Sequence, residues 1–248
     1  LGQCCGGVSR LMVEVFSSDR LDGIADMVRA EQAGPFTTRG RIGDGGVSRA
    51  ILTADMEPGQ VYWDGAGGLV ETFGDDRRQI YLFGAGHVGR ALILALAPLP
   101  FDVIWTDPRK DAFPGAVPGN VKMVCTSDAT GQLAHAPDGS FIVVLTHSHA
   151  LDLDLVQTAL KAGRFGYVGV IGSATKRARF VSRMRKAGLE PGLIDTLVCP
   201  IGAGGVASKR PAVIAAGVAT ELLVRDELVK SRQKPVQFSL HEVTLNGG

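Results

Sequence analysis

The chain carries almost no net charge and contains no long hydrophobic run. Its 26 Lys and Arg residues nearly balance 25 Asp and Glu residues, which leaves a formal net charge of +1 at pH 7. Such a balance creates no global field that would attract nucleic acid or an anionic membrane surface. No apolar stretch is long enough to span a bilayer, and we recognise no secretory leader. We therefore expect neither nucleic acid nor a membrane as a partner.

Cysteine is also scarce, with four in 248 residues, so the sequence predicts no disulfide framework. Reduced thiols are typical of the cytoplasm, which is the compartment that we expect. Two of the four cysteines, Cys4 and Cys5, are adjacent and lie in the stretch LGQCCGG. Because this motif stands at the very start and the first residue is Leu1 rather than Met, we expect that N-terminal sequence is missing.

What the chain does contain is typical of an α/β protein. Hydrophobic residues make up 45% and charged residues 21%, and the 33 glycines suit many tight turns. From residue 79 to 200, strand-length apolar segments alternate with helix-length segments, which indicates a parallel sheet. The predicted strands are 80–83, 103–106, 121–124, 141–146, 167–171 and 196–199, and the predicted helices are 87–97, 152–162, 174–187 and 211–230. We therefore predict an α/β fold, a Rossmann-type parallel sheet with helices on both faces.

The chain divides by pattern into four segments, of which one shows this alternation. They are the end of a separate N-terminal domain at 1–20, a linker or small β segment at 21–78, the Rossmann-type domain at 79–230 and a tail at 231–248. Outside the Rossmann-type domain the sequence predicts a helix over 21–34 and strands over 11–16, 50–54, 61–63, 69–73 and 237–240. The first segment looks like the remnant of a separate domain.

The most informative motif is the glycine turn GAGHVG, which joins the first strand of the alternating region to a helix. It has the spacing G-x-G-x-x-G of a phosphate-binding turn. Gly84 permits the turn, Gly86 lets a phosphate approach the backbone, and Gly89 lets the helix lie close to the strand. His87 opens a helix whose N-terminus offers free N–H groups to an anion. The motif therefore predicts an anionic ligand at this turn.

The next strand ends in Asp107-Pro108-Arg109, and Asp107 lies 23 residues after Gly84. That spacing is typical of the acid that binds a ribose diol in dinucleotide-binding proteins. Arg109 could pair with a phosphate through two hydrogen bonds. The alternative is a local Asp–Arg pair at a turn.

Two histidines follow the fourth predicted strand, in the sequence THSH. Because the carboxyl ends of parallel strands line the ligand crevice, His147 and His149 should face the same crevice as the glycine turn. They could hydrogen-bond an anionic ligand or ligate a metal. The alternative is a polar loop in which Ser148 or Asp152 caps the next helix. A His-x-His pair without a clear third ligand argues against the metal.

A second strand–glycine–helix turn is GVIGSATK, which ends at Lys176. Gly172 precedes Ser173, a natural N-cap, and the helix start again exposes N–H groups. Lys176 opposes the helix dipole in the first turn, and a residue placed against its local preference indicates function. It could bind a phosphate or carboxylate, or it could belong to a solvated basic helix face.

The four cysteines fall into two kinds. Cys199 and Cys125 are expected to be buried and inert. The adjacent Cys4 and Cys5 lie in a glycine-rich loop, where a soft-metal or sulfur-transfer role competes with inert packing.

Seven stretches together resemble one family, the XdhC/CoxI accessory proteins of xanthine dehydrogenase and related molybdenum hydroxylases. In chain order they are LGQCCGG, LFGAGHVGRAL, TDPR, LTHSHALD, YVGVIGSATKRARF, CPIG and SKRPAVIAAGVATELL. The resemblance implies a protein that binds the molybdenum cofactor (molybdopterin), protects it during sulfuration and delivers it to an apo xanthine dehydrogenase or related hydroxylase. It further implies a cysteine desulfurase partner and a homodimer.

The residues fit this role, because two helix N-termini suit the anionic ends of the cofactor. The expected cofactor-binding residues are Cys4, Cys5, Gly84, Gly86, His87, Gly89, Asp107, Arg109, His147, His149, Gly172, Ser173 and Lys176. We expect no catalytic residues and no resident metal, because the sequence shows no Ser-His-Asp order and no paired carboxylates at a defined spacing. A binding and delivery protein is therefore favoured over an enzyme.

Two other classes of protein remain open from the sequence. The Rossmann-type unit could belong to an NAD(P)-dependent oxidoreductase, since the fold alone does not decide function. A metal-dependent hydrolase could be built on His147, His149 and Asp152.

Overall fold

The structure is a computed structural model that describes residues 13–16, 18, 21–43, 46–52, 61–63, 67–74, 76–202 and 208–233. The chain divides into two compact units, residues 1–76 and 77–248. Cys4, Cys5 and the strand predicted over 237–240 lie outside the described residues. Of the strand predicted over 11–16, the described part at 13–16 is not in a strand.

The first unit contains one helix and a four-stranded antiparallel sheet among its described residues. The helix α1 is Leu21–Ala33, and the strands are β1 Phe36–Gly43, β2 Gly46–Leu52, β3 Val61–Trp63 and β4 Gly68–Phe73, paired in the order β2-β1-β4-β3. Strand β1 is not predicted from the sequence, because the segment FTTRGRIG has only two large apolar residues and no clear alternation. Its Thr37 and Thr38 are nevertheless buried, and their hydroxyls bond within the sheet.

The second unit is built on a five-stranded parallel sheet flanked by helices. The strands are β5 Arg78–Phe83, β6 Phe101–Asp107, β7 Val121–Cys125, β8 Phe141–Val144 and β9 Tyr167–Val170, in the order β7-β6-β5-β8-β9. The helices are α2 His87–Leu96, α3 His149–Ala162, α4 Ala174–Lys186, α5 Pro191–Asp195 and α6 Pro211–Gln233. This arrangement is Rossmann-like and confirms the predicted fold class.

Side chains alternate along the strands, so the sheet has an apolar layer on each face. On one face Ile80 and Leu82 of β5 belong to the cluster that includes α2 and α6. On the other face Tyr81 and Phe83 belong to the cluster that includes α3, α4 and α5. The apolar runs that predicted the strands are therefore explained by burial on both sides.

Three elements of the second unit differ clearly from the sequence prediction. Helix α3 begins at His149 rather than 152, because Ser148 is the N-cap and accepts from Leu151 N at 3.3 Å. The sixth strand predicted over 196–199 is reduced to one bridge, between Val198 and Gly169. Helix α5 was not predicted, since five residues are too few to show a helical period.

Helix α6 uses its apolar stripe inside its own domain. Its residues Val218 and Leu222 are fully buried in the cluster that also contains Leu92 and Leu96 of α2. The second unit therefore covers these two side chains itself, while Val224 and Leu228 of the same helix are exposed.

Candidate functional site

The strand order places a crevice at the carboxyl ends of β5 and β8. The chain leaves β5 toward β6 on one side and returns to β8 on the other, which makes this the topological switch point of the sheet. The glycine turn follows β5, and the loop that contains His147 follows β8. A backbone bond holds the two together, since Leu145 N donates to Phe83 O at 2.7 Å. Another bond, from Gly84 N to Thr106 O at 2.8 Å, joins the glycine turn to the end of β6.

Two of the three glycines in the turn are required by the protein itself. Gly84 has φ +114°, and a Cβ there would lie 2.4 Å from Leu145 O. A Cβ on Gly89 would lie 2.2 Å from Gly84 O, which also accepts a hydrogen bond from Trp105 Nε1 at 3.0 Å. The backbone after β8 therefore excludes a larger side chain at Gly84, and the close approach of α2 to the end of β5 excludes one at Gly89.

Gly86 differs from these two glycines. It is the exposed N-cap of α2, with φ −75° and ψ −174°, a conformation open to any residue. A Cβ at Gly86 would meet no atom within 4 Å. The fold therefore does not require glycine here, and the space in front of the helix N-terminus is free for a ligand.

We expect Gly89→Ala to destabilise the second unit by about 1–3 kcal/mol, because the methyl group would collide with a backbone oxygen. The matched control is Gly192→Ala in α5, where a Cβ would meet nothing within 4 Å. Urea unfolding of both variants measures the difference. A Gly89→Ala variant as stable as Gly192→Ala would contradict the packing described for α2.

Asp107 is 2% exposed and lies at the edge of the crevice. Its Oδ2 accepts from Ala85 N at 2.8 Å, and its Oδ1 accepts from Arg109 N at 3.0 Å. The Arg109 guanidinium adds Nε to Oδ1 and Nη2 to Oδ2, both at 2.9 Å. The carboxylate therefore ties the glycine turn to the loop after β6.

Burial alone would raise the pKa of Asp107, but the hydrogen bonds from Arg109 and Ala85 outweigh it, so the pKa is lowered. A carboxyl whose pKa is lowered in the folded state stabilises that state at pH values above its ordinary pKa of about 4. That contribution is lost as the pH falls through the lowered pKa. At neutral pH the group is ionised and available only as an acceptor.

His87, His147 and His149 are all exposed. His87 is the first residue of α2, while His147 and His149 lie on either side of Ser148. Among the described residues no group of three or more His, Cys, Asp or Glu side chains could hold a metal ion. His147 lies in the loop after β8, and His149 is the first residue of α3.

The structure reveals a buried ion pair that sequence reasoning missed. Lys176 Nζ donates to Asp152 Oδ2 at 2.6 Å and to Ile171 O at 2.7 Å. Asp152 is 1% exposed, and its Oδ1 accepts from Thr146 Oγ1 at 2.6 Å and Thr146 N at 3.2 Å. This network joins the loop after β8 to the start of α4. The helix dipole disfavours a cation such as Lys176 in the first turn of α4, and the Asp152 carboxylate supplies the opposite charge that offsets this.

Gly172 and Ser173 position this lysine. Ser173 is the N-cap of α4, and its side chain accepts from Lys176 N at 3.3 Å. A Cβ on Gly172 would lie 2.7 Å from Lys176 Cδ and 3.1 Å from Cys199 Sγ. The glycine therefore gives the lysine stem room to turn inward.

The two described cysteines have different environments. Cys199 is buried as expected, and burial raises the pKa of its thiol, although Lys176 and Arg177 act in the opposite direction. Cys125 is exposed, so the expectation of burial was wrong. It ends β7, an edge strand of which only Val121 is buried.

Fold and crevice together define a Rossmann-type domain with an open glycine turn at its switch point. A profile described as the XdhC Rossmann domain matches residues 80–222. The chain belongs to the XdhC family, and the resemblance found in the sequence is thereby confirmed. Its role is accordingly XdhC-like.

Solved structures support the fold. A crystal structure described as a xanthine dehydrogenase from Bacillus halodurans has 16% identity and a TM-score of 0.60 over 88% of this chain, which spans 66% of that one. A Rossmann-fold NAD(P)-binding family protein from Shigella flexneri has 17% identity and a TM-score of 0.34, over 46% of this chain and 64% of that one. S. aureus homoserine dehydrogenase has 17% identity and a TM-score of 0.34, over 46% of this chain and 32% of that one. The latter two likenesses are too low to carry an argument.

No curated protein matches the chain significantly. Among the described residues, no helix is both long and apolar enough to cross a membrane.

Proposed function

We propose that the chain binds the molybdenum cofactor in the crevice between β5 and β8 and delivers its sulfurated form to a xanthine dehydrogenase-type hydroxylase. Membership of the XdhC family supports this proposal. The observation that carries it is Gly86, a glycine that its own fold does not require, at a helix N-terminus with free space in front of it. Such a position suits a ligand phosphate better than any packing role.

The residues present fit an anionic, phosphate-bearing pterin. Gly86 and His87 open α2, where N–H groups face the crevice. The exposed His147 and His149 supply imidazole groups that would hydrogen-bond oxo or pterin oxygens. Once transferred, the cofactor supplies the molybdenum centre of the hydroxylase. The chain itself holds, shields and releases it, so we propose a delivery protein rather than an enzyme.

The partners follow from the same proposal. They are an apo-hydroxylase as acceptor, a cysteine desulfurase as sulfur donor and a second copy of the chain in a cytoplasmic homodimer. Cys4 and Cys5, which lie outside the described residues, stay a prediction: one of the two thiolates would contact molybdenum or carry sulfur.

The identity of the bound ligand tests the proposal. The chain purified from cells that make the cofactor should release a fluorescent pterin after oxidation, in a ratio to protein well above that of a Gly86→Val variant. Protein that instead carries NAD(P) and transfers hydride would establish the oxidoreductase. Stoichiometric zinc lost on His147→Ala would establish the metal-dependent hydrolase. Either result would contradict the proposal.

A further inference from the structure

The corner of the crevice formed by Asp107 and Arg109 differs from a ribose-binding corner. A carboxylate has about four acceptor positions, two on each oxygen. On Asp107, Oδ1 accepts from Arg109 N and Nε, and Oδ2 accepts from Ala85 N and Arg109 Nη2, at 2.8–3.0 Å. All four positions are filled by the protein. A ribose diol would have to displace the arginine before it could bind here.

The guanidinium group of Arg109, which donates to the Asp107 carboxylate, keeps its other edge free. Of its five N–H groups, Nε and Nη2 use one each on Asp107, which leaves three without a partner among the residues the structure describes. The Arg109 side chain is 46% exposed, so this edge reaches solvent. Asp107 fixes the orientation of the fork, and a fixed fork loses less entropy when it binds an anion through two hydrogen bonds.

The surroundings of this edge contain both signs of charge. Lys110 and Asp111 follow Arg109 in the same loop. Arg90, in the first turn of α2, donates through Nε and Nη2 to Ala112 O at 3.0 and 2.6 Å, and so holds a second guanidinium against that loop. The cations Arg90, Arg109 and Lys110 outnumber the carboxylates Asp107 and Asp111, and the N-terminus of α2 adds its positive dipole end.

We propose that this corner binds a phosphate group on the free edge of Arg109 and does not bind a ribose diol on Asp107. A phosphate monoester is the chemical class that matches both the fork and the helix N-terminus. Two sources carry one: the terminal phosphate of molybdopterin and the 2′-phosphate of NADP. The inference rests on the proposed function only in taking the crevice as the ligand site.

Calorimetric titration of the full chain with two ligand pairs tests the proposal. Each pair has one member with a phosphate monoester and one member that offers a ribose diol instead. The pairs are molybdopterin against molybdopterin cytosine dinucleotide, and NADP⁺ against NAD⁺. In at least one pair the phosphate-bearing member should bind about tenfold more tightly, which is the strength of one charge-assisted bidentate contact.

The variant Arg109→Gln should abolish that preference by weakening the phosphate-bearing ligand about tenfold, while the diol-bearing ligand binds as before or better. Lys161→Gln removes the same charge from an exposed residue in the last turn of α3, away from this corner, and should preserve the preference. Equal or tighter binding of the diol-bearing members, or a preference that survives Arg109→Gln, would overturn the proposal.

The two ligand pairs separate this inference from the proposed function. A preference in the nicotinamide pair, with no binding of either molybdopterin form, would uphold the phosphate corner and contradict cofactor delivery. Binding of both molybdopterin forms with equal affinity would support cofactor delivery and contradict the phosphate corner. If none of the four ligands binds, the crevice is not the ligand site and both proposals fail.

Discussion

Replacing Gly86 by valine should weaken molybdopterin binding by about a hundredfold and leave the domain folded. The Cβ of the new side chain would meet no protein atom within 4 Å. The backbone conformation at Gly86 is also open to valine. The isopropyl group would, however, occupy the space through which a phosphate approaches the N–H groups of α2. A valine N-cap costs stability by about 1 kcal/mol, which is small for this domain.

The matched control is Gly192→Val, which adds the same side chain where a Cβ also meets no atom within 4 Å. Gly192 lies in α5, which follows α4, and α4 starts at the carboxyl edge and runs away from it. Fluorescence titration with molybdopterin should give wild-type affinity for Gly192→Val. Unchanged affinity in Gly86→Val, with circular dichroism showing a folded protein, would place the ligand elsewhere.

Replacing Asp152 by alanine should destabilise the protein by about 3–5 kcal/mol, the usual cost of leaving one partner of a buried ion pair alone. Lys176 is 10% exposed at its side chain and, among the described residues, would keep Ile171 O as its hydrogen-bond acceptor and the Phe180 ring 5.3 Å from Nζ. The side chain of Thr146 would lose its acceptor as well, although it also donates to Ser148 O. The melting temperature should fall by about 10 °C.

Two variants show whether the charge or the site is responsible for this loss. Asp154→Ala removes an exposed carboxylate from the same helix and should change stability by less than about 0.5 kcal/mol. The double variant Asp152→Leu with Lys176→Met removes both charges and should recover most of the loss, since apolar groups of similar size replace a buried pair well. If Asp152→Ala has the same melting temperature as Asp154→Ala, or if the double variant recovers none of the lost stability, the broken ion pair is not the cause of the loss.

The alternating region was predictable because each signal is local. Gly84, Gly86 and Gly89 stand between an apolar strand and a helix, and Ser173 precedes a helix as an N-cap. Short apolar runs buried on both faces mark the strands of a parallel sheet without knowledge of the partner strands. The prediction failed at 196–199, where an apolar segment makes one bridge to Gly169 instead of a strand.

The parts of the site that could not be predicted depend on contacts across the sheet. Asp152 and Lys176 are 24 residues apart and meet only because β8 and β9 are neighbours, so that α3 and α4 start side by side. The sequence offered both outcomes for Asp107 and Arg109, a ribose acid or a local pair, and the geometry shows the local pair. No periodicity indicates that Gly86 alone among the three glycines faces empty space.

The central claim is that the crevice holds the molybdenum cofactor for transfer, and equilibrium dialysis of the full chain against molybdopterin tests it most directly. The account predicts saturable binding of one cofactor per chain, competition by inorganic phosphate, and release to an added apo-hydroxylase that lacks the cofactor. Binding that does not saturate, or that is unaffected by phosphate, would contradict the claim that an anion site at the glycine turn holds the cofactor.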